Sequence, residues 1–63
     1  MPIIRISMWE GRTDEIKEKL ISSVTKSVCD TIGCPPKAVE IVIEDVKKSN
    51  WGIEGKPATK IKP

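Results

Sequence analysis

Two apolar stretches, residues 2–9 and about 39–46, are separated by some thirty residues that read as one amphipathic helix. No other feature constrains the fold of so short a chain as much. In the first stretch Ile4, Ile6 and Met8 share one face; in the second, Val39, Ile41 and Ile43 alternate with Glu40, Val42 and Glu44. A connection of this length that contains a helix makes the two strands parallel and the crossover right-handed. The expected fold class is α/β (α+β), built on a single β-α-β unit.

The helix is punctuated at both ends. Glu10-Gly11-Arg12 reads as a turn, and the Thr13 hydroxyl suits the N-cap. Asp14 and Glu15 follow in the first turn, where negative charge complements the helix dipole. Ile16, Leu20, Ile21, Val24, Val28 and Ile32 cover an arc of about 160° at 100° per residue, one face of an amphipathic helix. Gly33 is a natural stop, and Pro35 and Pro36 prevent continuation. After the second strand, two glycines around Trp51 and Ile53 predict a tight hairpin or loop, followed by a lysine-rich tail.

A two-stranded sheet is not stable by itself in water. The second face of the first strand carries Ile3, Arg5, Ser7 and Trp9, so it is partly apolar and asks for cover that one helix cannot supply. The chain has 63 residues, one small domain over 1–63. Small scaffolds rely on disulfides, a metal or partner subunits. There is no histidine, and Cys29 and Cys34 are spaced C-x4-C, which matches no common zinc or redox pattern. Free, partly buried thiols suit a reducing cytoplasm. Oligomerisation is therefore the expected source of stability.

Net charge is +2, from eleven Lys/Arg and nine Asp/Glu spread along the chain. The local excess at Lys56, Lys60 and Lys62 is too thin for the clustered basic face of a nucleic-acid binder. No apolar run approaches the roughly 20 residues of a membrane span, and no signal-peptide pattern is present. A cytoplasmic protein with no nucleic-acid or membrane partner is expected.

The N-terminus carries the chemistry. Initiator methionine is normally removed before a small residue such as proline. Pro2 would then present a ring-held secondary amine at the head of an apolar strand, where it can act as a base. Taken alone, a Met-Pro start is far more often without catalytic meaning.

Other residues change that balance. Met1-Pro2-Ile3, the segment Glu10-Gly11-Arg12-Thr13-Asp14-Glu15, the β-α-β order, and Gly52-Ile53 with Gly55 together resemble the tautomerase superfamily, in its small-subunit type similar to 4-oxalocrotonate tautomerase. The resemblance runs over essentially the whole chain. It implies protomers paired into dimers, three of which form a homohexamer, with sites lying between subunits. It also implies an isomerase that needs no cofactor and no metal. Pro2 would take a proton from an unsaturated 2-hydroxy or 2-oxo acid, such as 2-hydroxymuconate or an aryl enolpyruvate, and return it elsewhere on the conjugated system. A general base works best with a pKa near the operating pH. An ordinary α-amino group lies at about 7.7–8.0, and burial or a nearby guanidinium lowers it.

The resemblance gives Arg12, otherwise a solvated turn arginine, the role of holding a substrate carboxylate in bidentate fashion. It places Trp51 where an aromatic residue walls the pocket, and Trp9 near the mouth; interface packing is the alternative for both. There is one departure. The family's best-known members carry a second arginine on the second strand, and here that position is Glu40. A carboxylate there repels a dianion, so substrates with one carboxylate are favoured. The alternatives for Glu40 are a solvated strand residue or a partner of Lys37 or Arg5, and Arg5 is the candidate replacement for the arginine. Two other readings stand beside the tautomerase one. A hydratase or dehalogenase would keep the proline protonated and use Glu40 or Glu54 to activate water. A non-catalytic oligomeric binding protein would keep only the fold.

Overall fold

The computed structural model describes residues 1–61. Lys62, part of the thin basic run, lies outside the described residues. Strand β1 (Ile3–Trp9) runs into helix α1 (Asp14–Ile32) and then strand β2 (Glu40–Val46). A short hairpin of β3 (Gly52–Ile53) and β4 (Lys56–Pro57) follows. Single 3-10 turns at Pro36–Ala38, Lys48–Asn50 and Ala58–Lys60 link or end these elements.

The parallel crossover is as the spacing predicts. β1 and β2 pair in parallel, with Ile3 opposite Glu40 and Trp9 opposite Val46. Backbone bonds extend the ladder past both ends: the Glu40 N–H donates to the Pro2 carbonyl at 3.1 Å, and the Glu10 N–H to the Val46 carbonyl at 3.0 Å. Period two then sorts the side chains. Ile4, Ile6, Met8, Ile41 and Ile43 are half-buried on one face, and Asp45 on that face pairs with Lys17 of α1. This is the face that the helix covers. The Asp45 carboxylate, as hydrogen-bond acceptor, raises the Lys17 pKa above its ordinary value.

Both ends of α1 are closed as the sequence predicts. Thr13 is extended and its Oγ1 accepts from the Ile16 N–H at 3.2 Å. Gly33 adopts the left-handed region at φ 82°, and its N–H donates to the Cys29 carbonyl at 2.8 Å. That conformation is costly for a residue with a Cβ. Thr13→Ala removes the N-cap acceptor and is expected to cost about 1 kcal/mol. Urea unfolding at fixed protein concentration reads this as a lowered midpoint; an unchanged midpoint would mean that the cap contributes nothing.

The other sheet face stays open. Ile3, Arg5, Ser7, Glu40, Val42 and Glu44 are exposed on it, with Ile3 at 58%. Ala58, at 2% exposure, is the only buried apolar residue among the described residues. The radius of gyration is 14.6 Å, against about 11 Å for a compact domain of this length. A chain so extended and so poorly filled has no closed core of its own, which is the physical case for partner subunits.

The hairpin turns on Glu54 at φ 53° and Gly55 at φ 79°. Two successive positive φ values are the mark of a type I′ turn, whose twist suits a two-residue hairpin. Cys29 and Cys34 are free, half-buried thiols. Burial, with a contribution from the Cys34 thiol, pushes the Cys29 thiol up.

Candidate functional site at the two ends of the first strand

The residues that the sequence singles out fall into two groups, one at each end of β1. At the start of the strand, half-buried Pro2 lies beside Glu40, tied to it by the backbone bond between the two strands. The Glu40 side chain is exposed on the open face of the sheet. Among the described residues it makes no ion pair with Lys37 or Arg5. Met1 precedes Pro2 and is 86% exposed, so it is accessible to removal and the proline nitrogen is an amide until that happens.

At the far end of β1, Trp9, Arg12 and Trp51 come together. Trp9 and Trp51 meet edge to face, with ring centroids 6.3 Å apart and planes at 81°. Such pairs contribute about 0.5–1.5 kcal/mol beyond the area they bury. Arg12 Nη1 donates to the Trp9 carbonyl at 3.0 Å. This single bond fixes the guanidinium at the end of the strand and leaves the rest of its five-donor fork unused. Trp51 is held from behind, its carbonyl accepting from the Ala58 N–H at 2.7 Å. The short 3-10 turn at Lys48–Asn50 and the β3–β4 hairpin thus exist, in this part of the chain, to seat one tryptophan against another.

Sequence reasoning missed one residue here. Lys48 Nζ lies 4.8 Å from the centre of the Trp9 ring, a cation–π contact. The only signal for it in the sequence is a lysine three residues before Trp51. The indole N–H of Trp9 is buried and has no acceptor among the described residues. The tryptophan end therefore presents two cations. The ion pairs of the described residues, Lys17 with Asp45 and Lys26 with Asp30, involve neither cation, and Glu10, next to Trp9, does not neutralise them.

The two groups do not meet within one chain. Seven steps of extended strand at about 3.3 Å each separate Pro2 from Trp9 by roughly 23 Å, far more than a small acid spans. Arg5 lies between them on the exposed face and touches neither group through an ion pair. Glu54 sits at the tip of the hairpin turn. The described residues contain no cluster of three or more potential metal ligands and no helix long and apolar enough to cross a membrane. A depression along α1 is lined by Ser22, Thr25, Lys26, Cys29, Asp30 and Pro36, and by none of these site residues.

Known proteins share this fold. The family described as "Tautomerase enzyme" matches residues 2–61. A 2-hydroxymuconate tautomerase of Comamonas testosteroni is 41% identical over 61 residues, 97% of each chain. A structure from work on the 4-oxalocrotonate tautomerase isozymes of Methylibium petroleiphilum superposes with a TM-score of 0.92 at 39% identity, covering 98% of this chain and all of the other. A heterohexamer 4-oxalocrotonate tautomerase from Chloroflexus aurantiacus gives 0.91 at 26% identity, over 98% and 100%. The β-α-β unit with its parallel strands and hairpin is the fold of these structures. The chain belongs to the tautomerase family.

Proposed function

We propose that the whole chain acts as one cytoplasmic tautomerase domain, a cofactor-free isomerase in which Pro2, after loss of Met1, is the general base. The observation that carries this reading is the division of the site residues between the two ends of β1. A small acid can touch both groups only where the proline end of one subunit meets the tryptophan end of another. The open sheet face and the absence of a closed core supply the reason for such assembly. A heterohexameric relative is in keeping with six subunits; for this chain the assembly we propose is a homohexamer, a trimer of dimers.

In the reaction, the Pro2 nitrogen takes the proton from the enol hydroxyl of an unsaturated 2-hydroxy acid. The O–H electrons form the carbonyl, the double bonds shift along the chain, and the protonated proline returns the proton to a carbon. Arg12 holds the substrate carboxylate with the part of its fork that Trp9 leaves unused. Trp51 and Trp9 form an apolar wall that keeps the amine poorly solvated, which favours its neutral form. The test is turnover of phenylenolpyruvate and of 2-hydroxymuconate by protein whose mature N-terminus has been confirmed by mass spectrometry. No turnover of either by protein that begins at Pro2 would overturn this reading.

Glu40 beside Pro2 bears on substrate choice. A carboxylate at the proline end repels a second substrate carboxylate, since like charges placed together across a contact are costly. The preferred substrates are enols with a single carboxylate, such as aryl enolpyruvates. Glu40→Arg is expected to raise kcat/KM on 2-hydroxymuconate by about tenfold or more, replacing a repulsion with a charge-assisted hydrogen bond. No gain from that change would count against this role of Glu40.

The same carboxylate favours one alternative, a hydratase in which a protonated Pro2 acts as acid and Glu40 activates water. The pH profile separates the two readings. A basic proline loses activity as pH falls and the amine takes up its proton; an acidic one loses activity as pH rises.

A further inference from the structure

We propose that Lys48 is a specificity-determining residue, which together with Arg12 makes the tryptophan end of the site a two-cation clamp for the substrate carboxylate. The inference rests on the tautomerase reading for the identity of the ligand, and on the geometry around Trp9 for the rest. Trp9 holds both cations: its carbonyl accepts from Arg12, and its ring face lies under the Lys48 ammonium. Neither cation has a carboxylate partner among the described residues. An end of the site whose two cations lack carboxylate partners is complementary to an anion.

The opposite end has the reverse character: Glu40 is bonded through its backbone to Pro2, and its exposed side chain brings a carboxylate to that end of the sheet. Once the ends of two subunits meet, the charge pattern dictates orientation. The substrate carboxylate lies at Arg12 and Lys48, and the part of the molecule nearest Pro2 carries no negative charge. The ligand class is thus a conjugated monoacid bound carboxylate-first against the tryptophans, its neutral end toward the base. Lys48 suits a tuning role. It is exposed and sits on a flexible stem, so the cation–π contact with Trp9 keeps the ammonium in place without neutralising it.

The variants to compare are Lys48→Met, which keeps an apolar stem over Trp9, and Lys48→Arg, which restores the charge. The readouts are kcat and KM for phenylenolpyruvate and for its neutral methyl ester, together with quenching of tryptophan fluorescence by cinnamate. Lys48→Met is expected to raise KM for the acid about tenfold and to weaken cinnamate binding by a similar factor, the size of one charge-assisted contact. The ester should show no such rise, added salt should shrink the difference, and Lys48→Arg should recover most of it. Equal losses on acid and ester, or no rescue by arginine, would make Lys48 a packing residue and overturn the inference. Cinnamate binding keeps the two proposals apart. If wild-type protein binds cinnamate through Lys48 but turns nothing over, the clamp stands and the catalytic reading falls. If wild-type protein turns over phenylenolpyruvate and Lys48→Met changes neither KM nor cinnamate affinity, the clamp falls and the tautomerase reading stands.

Discussion

Blocking or removing the Pro2 amine is expected to cost turnover of phenylenolpyruvate roughly 10²–10⁴-fold, the usual worth of a positioned general base. The cleanest form of the experiment retains Met1, because the proline nitrogen is then an amide with no basic lone pair. Pro2→Ala is subtler. Its mature form still ends in an amine, but a primary one, free to rotate and better hydrated than a nitrogen locked in a ring at the head of β1. It should keep a small fraction of the activity, with the loss in kcat rather than KM. Wild-type rates in protein that retains Met1 would show that the amine is not the base. The pH dependence adds a second check. With the neutral amine as the proposed active form, kcat/KM should fall as pH drops and the amine takes up its proton. A fall on the alkaline side instead would favour the protonated proline of a hydratase.

Arg12→Ala is expected to lower kcat/KM on phenylenolpyruvate about a hundredfold, mostly through KM. The change removes a charge-assisted, two-pronged contact to the carboxylate, worth about 3 kcal/mol at the upper end of such bonds. It also releases the Trp9 carbonyl, so part of the loss is positional: the Trp9–Trp51 wall loosens where Arg12 had fixed it. The methyl ester separates these effects, because it needs the wall but not the charge. Arg12→Lys should restore only a small part of the acid activity, since an ammonium replaces the charge but not the planar fork. If Arg12→Ala treats acid and ester alike, Arg12 is a positioning residue for Trp9 and not the carboxylate clamp.

These two variants act on groups that lie at opposite ends of one strand, and this is why their effects should be large together and separable. Mixing subunits is a direct test of the proposed shared site. A Pro2→Ala chain and an Arg12→Ala chain each retain one intact end. Hybrids of the two would regain sites in which a native Pro2 faces a native Arg12.

Much of the fold is legible in the sequence, and the reason is local. Thr13 and Gly33 bound the helix because a hydroxyl and a residue without a Cβ satisfy the end groups of α1 through contacts only three or four residues away. Alternation in Ile4, Ile6, Met8 and in Ile41, Ile43 assigns the covered sheet face, because strand side chains must alternate. The length of the crossover dictates parallel pairing. The Glu54-Gly55 turn is less legible. Glycine signals a bend, but the positive φ of Glu54 follows from the hairpin that closes around it.

The site divides along the same line. Pro2, Arg12, Trp9, Trp51 and Glu40 can be named from the sequence, because their residue types and spacing carry the family resemblance. Their grouping cannot. Only the parallel register puts Glu40 beside Pro2, and only the fold-back after β2 brings Trp51 and Lys48 onto Trp9 from about forty residues away. Local pattern dictates the elements and their order, and the length alone leaves the chain too small to fill a large core. That Pro2 and Arg12 flank β1 follows from their order in the chain, whereas the meeting of Glu40 with Pro2 and of Trp51 and Lys48 with Trp9 belongs to the tertiary structure. Helices, caps and strand faces follow from neighbours in the chain, whereas a site assembled from distant residues depends on register and packing, which no local pattern encodes.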